Sequence, residues 1–524
     1  MGRGRTHRRR LSLDRLGAVP RGRLRGALRP AVTLAEGLLG AAFVVAMVAV
    51  LDHTTLAQAV RGRASGEALQ RLVGTLAVVG GLTALGLAYL ARFQRRLVST
   101  RRQLLVFGVC CLACVVAAKA LLALDARLRP EWRSLVYLTP LSAFAVFFAV
   151  IYGQREAIAA GLILAMLVGL AVYATGPRAG AAAPEPLPVI AVLLSGALFG
   201  ALASRTIRKR TKLLKIGLLA GLLHVGLLLS FHLLRGRLRL DQAPPFDLLW
   251  GLGNGVGVGM IMTILLPLIE LVFDVATDIR LLELTDQDQP LLRSLVTLAP
   301  STDNHSRRVA RLAEAAAEAI GANSLLALVG AYYHDIGKMT KPECYIENQM
   351  DGENPHDRLR PSMSALVIAS HVKDGVELAV EARLPHAVTD IIEQHHGTSS
   401  IEYFLDRYLK QAGDKATLDT AFFRYPGPKP ATKEAAIVMI ADAIEAASRT
   451  LDQPVPSRIE ALVKRITASK LLDGQLEDCR LTLSEVRLIE QAIFRVLCAM
   501  YHARIEYPTS RLERPARPSS RRTT

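Results

Sequence analysis

GAYYHDIGKM, residues 330–339, sets a histidine and an aspartate side by side in an apolar frame. Alone, such a pair says little. A second one, His356-Asp357, lies in the polar loop GENPHDRLRP, where a turn or helix cap suits it. The surroundings of the first pair are helical. Upstream, Val309, Leu312, Ala313, Ala316 and Ile320 fall on one face of a helix over 305–320. Further helices are expected near 324–335, 362–380, 385–396, 432–450 and 482–505, with Pro361-Ser362 and Pro385 as start signals. No alternating strand pattern stands out, so residues 296–507 read as an all-helical domain.

Histidines and aspartates recur along these helices: His305, His334, Asp335, His371, His395, His396 and then Asp442, mostly near helix ends. Neutral imidazoles with a few carboxylates suit divalent iron, manganese or zinc. Seven such groups are too many for one tetrahedral ion and suit two. Two ions roughly 3.5–4 Å apart can share a hydroxide and clamp a phosphate, and an aspartate beside a histidine ligand can bridge them. Singly each residue is weak. His371 alone reads as an ordinary helix residue, and His395 and His396 diverge by about 100° on a helix, so both reach one cluster only from a helix end. Lys338, three residues after Asp335, suits a phosphate contact or a helix C-terminal cation, and Lys373 and Asn348 are further candidates for substrate contact.

The chain has 524 residues, 51% of them hydrophobic and 5% aromatic, with a mean hydropathy of +0.29. That excludes a disordered chain and disfavours an ordinary cytosolic enzyme. The excess sits in eight blocks, 31–51, 72–91, 104–124, 135–152, 157–175, 187–203, 216–234 and 248–273, each near the roughly 20 residues that cross a bilayer. Lysine and arginine orient them. The arm 1–30 and the loops 92–103, 153–156 and 204–215 carry 22, against 10 in the intervening loops. The first set is expected in the cytoplasm, and with it the C-terminal half.

The net charge of +18 comes largely from the two ends and fits cytoplasmic flanks rather than nucleic-acid binding. Six cysteines, three of them (Cys110, Cys111, Cys114) inside an apolar block, indicate neither a disulfide framework nor a thiolate zinc site. The alternating glycines 251–259 suggest close helix packing. The N-terminus does not read as a cleavable signal peptide. The expected organisation is a basic arm (1–30), a transmembrane region (31–273), a juxtamembrane connector (274–295), the all-helical domain (296–507) and a disordered basic tail (508–524).

The order H…HD…H…HH…D resembles the HD-domain metal-dependent phosphohydrolases. The longer strings LAEAAAEAIGAN, GAYYHDIGKM, IENQ, NPHD, SHVKDGVELA and IIEQHHGTS resemble one branch, the membrane-anchored seven-transmembrane HD family. Its characterised members hydrolyse cyclic di-AMP to pApA. The resemblance implies an all-α fold, a polytopic bundle followed by a cytoplasmic HD domain, in the bacterial inner membrane. It also implies two divalent ions, iron or manganese. One would be held by His305, His334, Asp335 and Asp442, the other by Asp335, His371, His395 and His396, with Asp335 as bridge. The implied partners are a cyclic dinucleotide and the lipid bilayer, a homodimer being allowed and no nucleic acid polymer expected. Members usually carry a large extracellular domain between the first two spans, where this sequence has only the 20 residues 52–71. No GYP tripeptide, the mark of the cyclic di-GMP branch, occurs. The rival readings are hydrolysis of cyclic di-GMP, ppGpp or a deoxynucleoside triphosphate, a non-catalytic nucleotide sensor, and a transporter.

Overall fold

The computed structural model describes residues 29–93, 101–128, 134–179, 184–204, 207–236, 246–349, 354–413 and 419–502. The basic arm up to residue 28 and the tail from residue 503 lie outside them. The described residues are helical. Among them the isolated bridge from Ser400 to Arg424 stands in place of a sheet. Contacts divide the chain into two units, Met1–Val275 and Ala276–Thr524.

The first unit holds α1 (Arg29–Val60), α2 (Gly66–Phe93), α3 (Arg101–Asp125), α4 (Leu141–Ile151), α5 (Gln154–Ala179), α6 (Pro186–Ala203), α7 (Arg210–Leu234) and α8 (Phe246–Phe273). The helices α2, α3, α5, α6, α7 and α8 are long and apolar enough to cross a membrane, while Leu39–Asp52 and Leu135–Ile151 are shorter apolar stretches. The block read as 135–152 is not one α-helix. A 3₁₀ turn, Leu135–Leu138, precedes α4, and the break falls at Thr139-Pro140 because proline cannot donate to the preceding turn. Asp125 anchors that turn by accepting from the amides of Ser134 (2.8 Å) and Leu135 (2.9 Å).

The tightest pairing is α7 on α8. A Cβ placed on Gly255 would lie 2.2 Å from the Gly221 nitrogen and 2.4 Å from the Gly217 oxygen. Gly217, Gly221, Gly255 and Gly259 recur one turn apart on the two facing stripes, so backbone meets backbone, while Gly251 makes room for the Leu228 and His224 side chains. Gly257 faces open space, so the alternating run is not uniformly used. Lipid offers no hydrophobic drive to helix pairing, and close van der Waals approach takes its place.

The second unit holds α9 (Asp278–Leu284), α10 (Pro290–Leu298), α11 (Pro300–Ala319), α12 (Ser324–Tyr333), α13 (Pro361–Glu381), α14 (His386–Gln394), α15 (Glu402–Ala412), α16 (Lys433–Ser448), α17 (Pro456–Leu472) and α18 (Leu483–His502). The segment expected as a connector is two helices whose Leu281, Leu284, Leu292 and Leu295 share a core with Val329, Tyr333, Ile336 and Val388. The Tyr333 hydroxyl donates to the Leu284 carbonyl at 2.9 Å. The main core is alanine-rich. Ala310, Ala313 and Ala317 of α11 meet Ala436, Ile440 and Ile444 of α16, and Ile489 and Ile493 of α18 close it. Small side chains let α11 and α16 approach closely enough for polar groups between them to touch. Side-chain caps fix helix starts here: Asn323 accepts from the Leu326 amide, Thr432 from the Ala435 amide and Thr277 from the Arg280 amide.

Candidate metal centre

The His-Asp pair stands where α12 ends. His334 still has helical angles, Asp335 has left them (φ −108°, ψ 13°), and a 3₁₀ turn, Ile336–Thr340, follows. Two adjacent side chains can therefore point into one space. Gly337 provides clearance: a Cβ there would lie 1.9 Å from the His371 carbonyl and 2.5 Å from the Gly375 nitrogen. Its absence lets α13 lie against the turn and carry His371 to Asp335. His395 caps α14 and His396 follows it, so this pair too sits at a helix end.

All seven candidate ligands converge. Asp335, His371, His395 and His396 bring ligand atoms within 4.8 Å of one another, and so do His305, His334 and Asp442. Asp335 lies between the groups. Its Oδ1 is 3.4 Å from His371 Nε2 and 3.8 Å from His395 Nε2, and its Oδ2 is 3.2 Å from His334 Nε2 and 3.6 Å from His305 Nε2. Asp442 reaches His305 Nε2 at 3.0 Å, His334 Nε2 at 3.8 Å and, through its other oxygen, His396 Nδ1 at 3.7 Å.

Three of the imidazoles share one device. Nδ1 of His334, His371 and His395 faces the carbonyl three residues back, of Ala331 (2.7 Å), Ile368 (2.6 Å) and Ile392 (2.8 Å). A carbonyl only accepts, so each Nδ1 donates, and once Nε2 carries no proton its lone pair points inward. Two such nitrogens, of His371 and His395, face each other at 3.3 Å. Between two lone pairs that approach is repulsive unless a cation sits among them. His334 Nε2 and Asp335 Oδ1 are buried without a hydrogen-bond partner. These residues fit a divalent cation in each group. Nitrogen and carboxylate donors with no thiolate suit iron, manganese or zinc.

Electrostatics separate the groups. Burial, reinforced by His334, pushes the His395 pKa down to about 3, and burial also lowers His371 and His396. Burial opposes a charge on His334 too, but Asp335 and Asp442 outweigh it and push this pKa up to about 10. At His305 burial is likewise outweighed, by Asp442 and Glu445, and the pKa rises. The carboxyls of Asp335 and Asp442 are held well below the usual carboxylate range: burial works against ionisation, and the histidines around them overcome it, helped at Asp335 by Lys338.

The other candidates fall outside these groups. Lys338 Nζ is taken up by Asp335 (2.8 Å) and Glu347 (2.9 Å) and lies over the Tyr345 ring. Asn348 Nδ2 donates to the Thr302 hydroxyl at 2.8 Å. Lys373 is exposed and pairs loosely with Glu377 at 3.9 Å. Three neighbours were not anticipated. Glu445, one turn beyond Asp442, accepts from His305 Nδ1 at 2.5 Å and is held by Arg449. Glu347 closes the Lys338 triad. Tyr425 stacks on His396, with ring centroids 4.1 Å apart and planes at 25°. Two of them had a trace in the sequence: Glu347 is the acid of IENQ, and in IADAIEAASR Asp442, Glu445 and Arg449 share one helix face.

Two family patterns match the chain. That described as a 7TM receptor with intracellular HD hydrolase covers residues 69–277, and that of the HD domain covers 302–447, which holds all seven candidate ligands. The chain belongs to this family. It is 36% identical to the cyclic-di-AMP phosphodiesterase PgpH of Bacillus subtilis over 444 residues, 83% of this chain and 60% of that one. With the protein of the same name from Listeria monocytogenes it shares 39% over 319 residues, 61% of this chain and 44% of that one. The chain therefore spans less than two thirds of the length of these curated relatives. The crystal structure of the L. monocytogenes PgpH HD domain in complex with cyclic di-AMP is 44% identical and covers 41% of this chain and all of that one, with a TM-score of 0.40. Family and helices together make this a multi-pass membrane protein with an HD domain.

Proposed function

We propose that the protein is a membrane-bound, metal-dependent phosphodiesterase that hydrolyses cyclic di-AMP to pApA. The observation that carries this reading is Asp335, whose two oxygens face two separate groups of inward-turned imidazoles. His305, His334, Asp335 and Asp442 would hold one ion, and Asp335, His371, His395 and His396 the other, iron or manganese in each case. When bound, such ions supply Lewis acidity toward a phosphoryl oxygen and a nucleophilic water at neutral pH.

The chain's own residues position the reaction. The three Nδ1–carbonyl locks aim their imidazoles without any loop having to close. Lys338 holds Asp335 ionised, and Glu347 holds Lys338. Glu445 orients His305 as a carboxylate behind a metal-binding histidine does. Hydrolysis adds water to phosphorus and releases a 3′ oxygen, which leaves as a hydroxyl. Asn348 would contact the outer part of the dinucleotide, and the exposed Lys373 would attract it from a distance.

The distribution of lysine and arginine over the loops supports a bacterial cytoplasmic membrane with the HD unit in the cytoplasm. A second reading, turnover of another nucleotide such as cyclic di-GMP, uses the same centre and is weakened by the missing GYP.

The test uses full-length protein in detergent, loaded with manganese or iron. Cyclic di-AMP and cyclic di-GMP are assayed side by side against His334→Ala/Asp335→Ala. Conversion of cyclic di-AMP to pApA, absent from the variant, is expected. Turnover of neither dinucleotide with metal bound would overturn the reading.

A further inference from the structure

Two lysines stand beside the ligand groups, and they differ. Lys338 is neutralised by two carboxylates, both within 2.9 Å. Lys470, in the last turn of α17, makes no ion pair among the described residues, and its Nζ donates to the Ser399 hydroxyl at 2.7 Å. One ammonium proton is so used, and two are left.

The position of Lys470 is built. The Ser399 amide donates to the His396 carbonyl at 3.1 Å, and the Ser399 carbonyl accepts from Tyr425, whose ring covers His396. Gln475, fully buried, clamps the end of α17 to the same segment. Its Oε1 accepts from the Thr398 amide at 2.9 Å, and its Nε2 donates to the Thr398 hydroxyl at 3.0 Å and to Asp473 at 2.7 Å. Gly397, at φ +53°, makes room, since a Cβ there would lie 2.4 Å from Gln475 Oε1. Thr398 and Ser399, the second and third residues after the His395-His396 pair, are thus tied to the turn that carries Lys470.

The carboxylates acting on Lys470 are Asp442, Asp473 and Glu402. Asp473 is already paired with Arg424, and Asp442 faces the imidazoles. Burial lowers the Lys470 pKa and outweighs those carboxylates. A partly desolvated ammonium beside a phosphodiester centre, with no anion of its own, lacks the counterion that such burial normally demands.

We infer that Lys470 is the substrate's phosphate-contacting cation at this centre, the part that Lys338 is too fully engaged to play. This rests on the phosphodiesterase reading above. The chemistry recognised is a phosphoryl oxygen of a dianionic or monoanionic phosphate, which Lys470 meets as a point charge.

The experiment titrates inorganic phosphate into manganese-loaded full-length protein in detergent and follows ³¹P relaxation. Lys470→Ala, Lys470→Arg and, as control, Lys464→Ala on the same helix, exposed and paired with Glu460, are compared with the parent. Loss of one charge-assisted hydrogen bond weakens phosphate binding by roughly tenfold to a hundredfold. That loss is expected in Lys470→Ala with metal content unchanged. Recovery in Lys470→Arg, no change in Lys464→Ala, and a raised KM for cyclic di-AMP should accompany it. Parent-like phosphate affinity in Lys470→Ala overturns the inference, as does loss of metal from that variant, which would make Lys470 structural. If phosphate affinity drops as expected but the parent turns over no cyclic dinucleotide, Lys470 stands and the phosphodiesterase reading falls. If the metal-loaded parent binds no phosphate yet turns over cyclic di-AMP, the inference falls and the phosphodiesterase reading stands.

Discussion

The α7–α8 pair and the centre between α12, α13, α14 and α16 both depend on glycine, in opposite ways. In α7–α8 the missing side chains are themselves the contact. Gly217, Gly221, Gly255 and Gly259 put one backbone on the other, and buried polar groups are dealt with one at a time, as when Asn254 donates to the Thr139 carbonyl at 2.8 Å. In the HD unit Gly337 is clearance: it lets α13 come close so that polar side chains can crowd together. A bilayer rewards close backbone approach and penalises gathered charge. The HD unit gathers two carboxylates and five imidazoles, a set that divalent cations would balance.

The sharpest break of this contrast is Asp335→Ala combined with His334→Ala. Both ligand groups lose a member, and one loss is shared. Bound metal and turnover should fall below detection, while the membrane unit keeps its helicity and its detergent melting curve. Metal retained at parent stoichiometry would refute the role given to Asp335.

Next comes a matched pair of glycine substitutions. Gly337→Ala forces a Cβ to within 1.9 Å of the His371 carbonyl, and Gly255→Ala forces one to within 2.2 Å of the Gly221 nitrogen. Neither neighbour is a flexible side chain, so each should cost at least the roughly 1–3 kcal/mol of ordinary overpacking. The consequences should part company. Gly337→Ala loses metal, and Gly255→Ala lowers detergent stability but keeps it. Metal analysis and melting curves on the same preparations distinguish them, and identical behaviour of the two variants would dissolve the distinction between contact and clearance.

The two ligand groups should also separate by pH. His334, at about 10, holds a proton at neutral pH, and His305 is shifted in the same direction, so a cation binding there must displace a proton. His395, at about 3, and His371, also lowered, are already neutral. Apparent affinity at the His305–His334–Asp442 group therefore rises with pH toward about 10 and falls below it, by roughly tenfold per unit for each proton displaced. The His371–His395–His396 group should keep its affinity down to mildly acidic pH. Metal titrations at pH 6 and pH 8 should find one tight ion at the lower value and two at the higher. Two ions bound equally well at both would contradict the proton assignment.

Glu445→Gln comes next in size. It keeps the shape but weakens the acceptor behind His305 Nδ1, and carboxylates in that position are typically worth about 10–100-fold in metal affinity. The loss should be confined to one ion of the two.

Much of this was legible in the sequence, for physical reasons. Six of the eight apolar blocks became helices long enough to cross a membrane, because hydropathy at that length leaves few alternatives, while 31–51 and 135–152 hold shorter apolar stretches. His305 through Asp442 stood out because polar residues recur in apolar helical frames, although only the His334-Asp335 and His395-His396 pairs sit at helix ends and His305, His371 and Asp442 lie within α11, α13 and α16. What stayed hidden depends on contacts between distant segments. Lys338 read as a phosphate contact because its spacing from Asp335 was visible, whereas Glu347, which neutralises it, arrives on a separate turn. Lys470 lies far beyond the last motif and meets Ser399 directly, beside the Gln475 clamp on Thr398, a contact between distant segments. Leu281 and Leu292 looked like connector because short helices carry too few turns for a period to emerge, and only the shared core shows their place.

The smallest effect concerns Lys373, which meets water where Lys470 is partly enclosed. Its side chain is 80% exposed and its pair with Glu377 is loose, so any help to the dinucleotide is long-range attraction. Such a charge changes encounter rate more than bound-state energy and is screened within about 10 Å at 0.1 M salt. Lys373→Ala should leave kcat and metal content alone and raise KM for cyclic di-AMP about twofold at low salt, in keeping with the roughly 0.5 kcal/mol of a surface substitution. The difference should vanish at 0.5 M salt, whereas the defect of Lys470→Ala, a desolvated contact, should persist there. A Lys373→Ala defect that survived high salt would place this lysine on the phosphate itself and remove the contrast between an enclosed and an open cation.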